Sequence, residues 1–328
     1  MRVAILGAGG WGTALGLVLH ANGHQLTFWG HDAARLAAIQ ASGVNEPYLP
    51  GIRLPEVWRY DARIESAVAG AGLVVIAVPS RAFRVVASQL KEWRGPLVSV
   101  TKGIEADTGL TMGAVAGACA PGSSVAALSG PSLAAEVAME LPTAIVAAGE
   151  DQSTTALVQE LFHRPSFRVY TSPDLLGVEL GGALKNVIAI AAGVGDGLGF
   201  GDNTKAALVT RAIVEIRRLG VALGAQAETF SGLSGLGDLM VTCFSKLSRN
   251  RSFGERLGRG ESSGQILSGM RTVVEGHPTA RSAYQLALKS GLDTPIIREV
   301  YSMLYEGKNI AQAVRDLTGR ESKSETDS

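Results

Sequence analysis

The chain lacks an excess of charge of either sign: 30 Lys and Arg stand against 30 Asp and Glu, so its 328 residues are formally neutral. A nucleic-acid groove needs a cationic surplus to release phosphate counterions, so no nucleic-acid partner is expected, although a small basic pocket remains open. Cysteine is scarce. Cys119 and Cys243 cannot serve as a disulfide framework and read as small core residues. No paired Cys or His spacing suggests a metal site. His20, His24, His31, His163 and His277 have no triad partner, and no Gly-x-Ser-x-Gly elbow points to acyl hydrolysis. The 12 prolines are too few for low-complexity sequence. No uninterrupted apolar run reaches the roughly 18 residues of a membrane span. The most apolar long stretch, Leu176 to Val194, is broken by Glu179, Lys185 and Asn186. The N-terminus runs straight into a strand pattern, without the cationic head and cleavage site of a secretion signal. These absences predict a soluble, cytoplasmic protein.

What is present is core and glycine. Hydrophobic residues make up 46% of the chain, enough for sizeable cores. At about 150 residues per domain the length predicts two domains. Val- and Ile-rich runs alternate with helical patterns: strands at Val3–Leu6, Leu26–Trp29, Leu73–Ala77, Leu97–Val100, Val125–Leu128, Thr143–Ala147 and Phe167–Tyr170. Several of these runs are apolar throughout, which suits a parallel sheet covered on both faces. The alternation predicts an α/β fold with a doubly wound sheet of Rossmann type over residues 1–173. The stretch Asn45 to Pro55, with three prolines, reads as an ordered loop. Beyond Asp174 only helical patterns recur, predicting a C-terminal all-α domain over 174–319. The polar end, 320–328, reads as disordered.

Gly7-Ala8-Gly9-Gly10-Trp11-Gly12 fits G-x-G-x-x-G between a strand and a helix, the context a dinucleotide site requires. Gly7 would allow the tight turn, Gly9 the approach of a pyrophosphate, and Gly12 close helix–strand packing. A structural glycine turn is the plainer alternative. After the second strand comes Gly30-His31-Asp32-Ala33-Ala34-Arg35. His31 and Arg35 could face a 2′-phosphate, whereas Asp32 could bond a ribose diol or merely cap the next helix. The balance favours NADPH, with NADH accepted. Lys102 and the turn Ser129-Gly130-Pro131-Ser132 each follow a strand, where ligands of open α/β sheets bind. Lys102 could equally be a solvated loop lysine, and Ser132 a helix cap. Lys185-Asn186 lies inside an apolar helical run, and desolvation there would push a lysine toward acid/base use. Lys205 is a second candidate cation, and Asp238 is an acid in a Gly-rich apolar setting or another cap. Ser248-Arg249-Asn250-Arg251 offers two guanidinium forks in one short loop, suited to a phosphate monoester or to a solvated turn.

Taken together the blocks resemble the NAD(P)-dependent sn-glycerol-3-phosphate dehydrogenases of the bacterial, soluble type. The resemblance runs from Val3 to about Gly319. It rests on Gly-Ala-Gly-Gly-Trp-Gly-Thr-Ala-Leu (7–15), Trp-Gly-His-Asp (29–32), Tyr-Leu-Pro-Gly (48–51), Ala-Val-Pro-Ser (77–80), Thr-Lys-Gly-Ile-Glu (101–105), Ser-Gly-Pro-Ser (129–132), Ala-Leu-Lys-Asn-Val-Ile-Ala-Ile (183–190), Gly-Leu-Gly-Asp-Leu (235–239), Ser-Arg-Asn-Arg (248–251) and Val-Val-Glu-Gly (273–276). The resemblance implies that Lys185 is the proton carrier, with Asp238, Lys102 and Lys205 in the catalytic set. It implies that Lys102, Gly130, Ser132, Lys185, Asp238, Ser248, Arg249 and Asn250 hold the sugar phosphate. It places Gly10, Trp11, His31, Lys102, Ala134, Arg249 and Glu275 at the dinucleotide, where Gly7, Gly9, Gly12, Arg35 and Val273 are also expected. Position 10 is Gly where many members carry Ser. The implied reaction is reversible reduction of dihydroxyacetone phosphate to sn-glycerol 3-phosphate for phospholipid synthesis, in a homodimer. A reductase of another keto acid on the same plan, or a dinucleotide-binding redox sensor, are the alternatives.

Overall fold

The computed structural model of the chain describes residues 1–270, 272–321 and 324. Most of the stretch read as disordered, 320–328, lies outside the described residues. Two compact units emerge: Met1–Lys102 with Thr111–Glu179, and Gly103–Leu110 with the chain from Leu180 on. The excursion Gly103–Leu110 has no counterpart in the sequence reading.

The first unit is built on strands β1 (Arg2–Leu6), β2 (Gln25–Trp29), β5 (Arg59–Asp61), β6 (Leu73–Ile76), β7 (Leu97–Ser99), β8 (Val125–Ser129), β9 (Thr143–Gly149) and β10 (Phe167–Ser172). They form one sheet in the order β10-β9-β8-β7-β6-β1-β2-β5. Helices α1 (Gly10–Ala21), α2 (Ala33–Ser42), α3 (Ile64–Val68), α4 (Ser80–Ala87), α5 (Met112–Cys119), α6 (Ala134–Ala138) and α7 (Gln152–Phe162) connect them. Strand alternation explains why both faces are covered. In β1, Val3 and Ile5 enter one core cluster while Ala4 and Leu6 enter the other. Cys119 only half-buries against the second cluster, not the core position expected of it.

The sheet is not wholly parallel: β8 and β9 pair antiparallel. Helix length supplies the reason. The α6 helix has 5 residues and so spans about 7.5 Å at 1.5 Å per residue, too short to carry the chain back along a strand. The 11-residue α7 does carry it back, and β10 runs parallel to β9. The Asn45–Pro55 region, read as loop, instead forms a small hairpin of β3 (Val44–Asn45) and β4 (Leu49–Arg53). Its alternation is interrupted by proline, which hid it. The edge strand β5 was also missed, because Arg-Tyr-Asp carries no apolar run.

The second unit is helical: α8 (Leu175–Gly197), whose first turns belong to the other unit, then α9 (Asp202–Ala222), α10 (Asp238–Phe244), α11 (Arg249–Gly258), α12 (Ser263–Gly269), α13 (Gly276–Lys289), α14 (Pro295–Tyr305) and α15 (Ile310–Thr318). By length and composition α8 could cross a bilayer, yet 83% of its apolar window is buried within the fold. It is a core helix. Much of the glycine surplus is used here. A Cβ on Gly193 would lie 2.0 Å from the Arg251 carbonyl, and one on Gly254 2.0 Å from that of Ile190. One turn further on each helix, a Cβ on Gly197 would lie 2.3 Å from the Glu255 carbonyl and one on Gly258 2.5 Å from that of Val194. Two G-x-x-x-G rows therefore let α8 and α11 cross backbone to backbone.

Two buried carboxylates cap helices from outside. Glu179 Oε1 accepts from the Gly113 amide at 2.6 Å at the start of α5. Glu215 accepts from the Ile296 and Ile297 amides at 2.8 and 3.2 Å at the start of α14. Burial pushes each carboxyl from its ordinary 4.5 to about 7. A folded-state value above the unfolded one means stability fully present below about 4.5 and lost as pH rises through 7. These two carboxyls therefore pull urea midpoints down between pH 5 and 7.5, against the opposite pull of His24 and His277, whose values burial lowers. Glu179→Gln should remove roughly half of the carboxyls' downward contribution and make the slope less negative, the two groups weighing similarly by linkage. An unchanged slope in the variant would assign the pH dependence elsewhere.

Candidate active site

The β1–β6 boundary is where strand order reverses, the place at which open α/β sheets bind ligands. The glycine loop sits on it. Gly7 has φ +128°, and a Cβ there would lie 2.5 Å from the Ala77 carbonyl at the end of β6. A Cβ on Gly12 would lie 2.2 Å from the Gly7 carbonyl, so the helix start can press against the turn only as glycine. Gly9 is different: nothing lies within 4 Å of its missing Cβ. It is the N-cap of α1 and supplies no side-chain cap, so the first amides of the helix lack a side-chain acceptor. The indole Nε1 of Trp11 is buried without a partner. Open space beside a glycine, uncapped amides and an unpartnered donor fit a dinucleotide pyrophosphate.

Other residues predicted for this half also converge. A Cβ on Gly10 would make ordinary contacts with Tyr48 and with the Ala134 methyl at 3.8 Å, so serine would fit there. Lys102 Nζ donates to the Gly130 carbonyl at 2.8 Å and reaches Ser132 Oγ at 3.4 Å. Ser132 donates to the same carbonyl rather than capping α6, whose N-cap is Leu133. Gly130 needs its glycine, with φ +139° and Ile145 packed beneath it. His31 is exposed, and Asp32 caps α2 by accepting from the Arg35 amide at 3.0 Å. The capping role of Asp32 is therefore real. The Arg35 guanidinium lies 4.2 Å over the Tyr48 ring and points back to the Ala8 carbonyl.

In the helical unit Lys185 and Asp238 form a buried ion pair at 2.5 Å, with 6% and 1% of the residues exposed. A one-turn π-helix, Leu233–Gly237, leads into α10 and turns Asp238 inward at the first helical position. Functional sites commonly use such local distortions. Thr242, one turn on, accepts from Lys185 Nζ at 2.6 Å and donates to the Asp238 carbonyl at 2.6 Å. Sequence reasoning missed Thr242, although Asp-x-x-x-Thr on a helix face was its signal. The expected desolvation of Lys185 is thus opposed by a carboxylate, which holds the amine as an ammonium. Cys243 is fully buried beside this cluster, and burial pushes its thiol to about 12.

Lys205 is anchored differently. Its Nζ lies 2.6 Å from Asp196 Oδ1, and Arg251 Nε lies 2.6 Å from Asp196 Oδ2. Glu255 extends the series to Arg251 and Arg259. The second fork expected of the Ser-Arg-Asn-Arg stretch is thereby occupied. The stretch is not a loop either: Ser248 caps α11 through the Arg251 amide, and Arg249 is the exposed first helical residue. Asn250 locks three helices. It donates to Asn186 Oδ1 at 2.9 Å and accepts from the Gly276 amide at 2.9 Å. Gly276 comes within 2.5 Å (Cβ position) of the Asn186 carbonyl, and the Glu275 and Val273 that precede it in the chain are half-buried.

Family models for the N-terminus and the C-terminus of NAD-dependent glycerol-3-phosphate dehydrogenase match residues 2–155 and 174–315. A glycerol-3-phosphate dehydrogenase [NAD(P)+] of Geobacter sulfurreducens is 47% identical over 99% of this chain and 98% of its own length. One from Fusobacterium nucleatum is 46% identical over 100% and 99%. The crystal structure of the Coxiella burnetii glycerol-3-phosphate dehydrogenase superposes with a TM-score of 0.94 at 37% identity, covering 97% of this chain and 99% of that one. The chain belongs to the NAD(P)-dependent glycerol-3-phosphate dehydrogenase family.

Proposed function

We propose that this protein reduces dihydroxyacetone phosphate to sn-glycerol 3-phosphate, reversibly, and supplies the glycerol phosphate backbone for phospholipid synthesis in the cytoplasm. The observation that carries the reading is the buried Lys185–Asp238 pair with Thr242. A buried ion pair is weak as a source of stability, since well-packed apolar residues would do as well. A proton carrier with a fixed charge partner explains its presence better.

When bound, the reduced nicotinamide supplies the hydride that arrives at C2 of the substrate. Lys185 donates the proton to the C2 oxygen and accepts it in the reverse direction. Asp238 balances the ammonium charge, and Thr242 fixes the direction of Nζ. Arg249, with Ser248 and one remaining amide hydrogen of Asn250, takes the phosphate, so that its binding orients the carbonyl. Lys102, with Gly130 and Ser132, contributes a cation at the carboxyl end of the sheet. Lys205 serves the ionic series through Asp196 rather than the proton transfer. NADPH is the preferred cofactor through His31 and Arg35, with NADH accepted. Residues 1–173 act as the dinucleotide domain and 174–319 as the substrate domain. A second copy of the chain covers the exposed apolar row Leu236, Met240, Phe244 and Leu247, making a homodimer through the helical domain.

The test is absorbance at the nicotinamide band with dihydroxyacetone phosphate, using NADPH and NADH in parallel. Oxidation that requires the substrate phosphate supports the reading. Equal rates with phosphate-free keto acids would move the enzyme to another substrate class. In the same assay Arg249→Ala should raise KM for dihydroxyacetone phosphate by about 10–100-fold, the loss of a charge-assisted bond. An unchanged KM would remove Arg249 from the phosphate site.

A further inference from the structure

Asn45 is completely buried, in the hairpin that the sequence reading took for loop. Its Nδ2 donates to the Ala8 carbonyl at 3.1 Å and to Thr13 Oγ1 at 2.9 Å. A carbonyl can only accept, so the orientation of the amide is determined. Arg35 Nη2 donates to the same Ala8 carbonyl at 3.4 Å, while Nη1 reaches Tyr48 Oη at 3.3 Å. The Oδ1 atom of Asn45 is buried without a partner. A lost partner of that kind costs about 1–3 kcal/mol. An apolar side chain would avoid the cost, so packing alone does not account for an amide at this position.

The geometry of the peptide bond supplies the account. In a trans peptide the carbonyl of one residue and the N–H of the next point in opposite directions. Drawing the Ala8 carbonyl toward Asn45 and Arg35 turns the Gly9 N–H away from them. Gly9 is also the loop glycine with open space beside it. We propose that Asn45, with Arg35, is a positioning residue for the dinucleotide: the pair holds the Ala8–Gly9 peptide so that the Gly9 amide meets the pyrophosphate. The proposal rests on the dinucleotide reading of the Gly7–Gly12 loop.

The test compares the full-length wild type with Asn45→Ala by calorimetric titration of NADPH, ADP-ribose and adenosine 2′-monophosphate. NADPH and ADP-ribose carry the pyrophosphate, and the monophosphate does not. About tenfold weaker binding of the first two is expected, equivalent to one hydrogen-bonded anchor, with the third unchanged within twofold. In turnover, KM for NADPH should rise by the same factor while kcat moves less than twofold. Equal affinity of both proteins for ADP-ribose overturns the proposal. So does an equal loss for all three probes, which would mark general damage to the unit. Failure of the wild type to bind ADP-ribose would instead sink the dinucleotide reading. Should Asn45→Ala not fold, Arg35→Met at a half-exposed position carries the test. Loss of NADH affinity of about tenfold supports the clamp, whatever further loss NADPH shows, because NADH has no 2′-phosphate. A loss confined to NADPH overturns it.

Discussion

Lys185→Ala is expected to lower kcat by about 10²–10⁴, the usual worth of a placed general acid, with little change in cofactor affinity. The expectation follows from position. Lys185 sits in the middle of α8, where every residue from Leu180 to Ile190 is buried, and its ammonium is held by Asp238 and Thr242. Lys205, the other candidate lysine described in the helical unit, is committed elsewhere: it is held by Asp196, which also binds Arg251. Lys205→Ala should accordingly affect turnover far less. Steady-state kinetics with saturating dihydroxyacetone phosphate, alongside cofactor titration of both variants, decides the matter. Near wild-type kcat in Lys185→Ala would refute the assignment, and a larger loss in Lys205→Ala would transfer it.

Gly254→Ala should cost more than about 4 kcal/mol, or prevent the helical unit from folding, although alanine is the better helix former. The added methyl would lie 2.0 Å from the Ile190 carbonyl, which is backbone and cannot swing aside. Separating α8 from α11 would also pull Arg251 from Asp196 and Asn250 from Asn186, so the loss includes buried polar pairs. Gly264→Ala is the matched control. It is an exposed helical glycine with nothing within 4 Å of a Cβ, and alanine there should stabilise by up to about 1 kcal/mol. Thermal unfolding of both variants checks the pair. A Gly254→Ala protein as stable as the wild type would mean that the helices can separate at little cost.

What could be read from the sequence followed from periodicity and from local order along the chain. The runs Val3–Leu6, Leu73–Ala77 and Leu97–Val100 became neighbouring parallel strands: the first two are apolar throughout and the third is broken only by Ser99, a pattern that suits a sheet covered on both sides. The glycine loop was legible because strand, turn and helix follow one another within one segment. Reversal at β9 was not, since it depends on the length of a five-residue helix, which the turn at Ser132 does not fix. Nor was the fate of Arg251: its fork is taken by an aspartate 55 positions earlier, and nothing in Ser-Arg-Asn-Arg foretells that. Asn250 gave the same difficulty in milder form. Its type suited a phosphate, and much of its hydrogen bonding goes to Asn186 and Gly276. Asn45 was hidden for the same reason, since its partner is a carbonyl 37 positions earlier that only the fold brings near, whereas Thr242 had a local signal in its spacing from Asp238.

The buried thiol of Cys243 has a bearing on how this enzyme meets oxidants. Thiolate is the form that peroxides and alkylating reagents attack, and a thiol held near 12 supplies almost none of it at neutral pH. Its complete burial denies access as well. A sulfur placed one residue from Thr242 is thereby kept chemically silent while the fold is intact. Oxidative damage to the native enzyme must then begin elsewhere, with the half-exposed Cys119 as the other thiol available. Conversely, labelling of Cys243 would signal that α10 has opened.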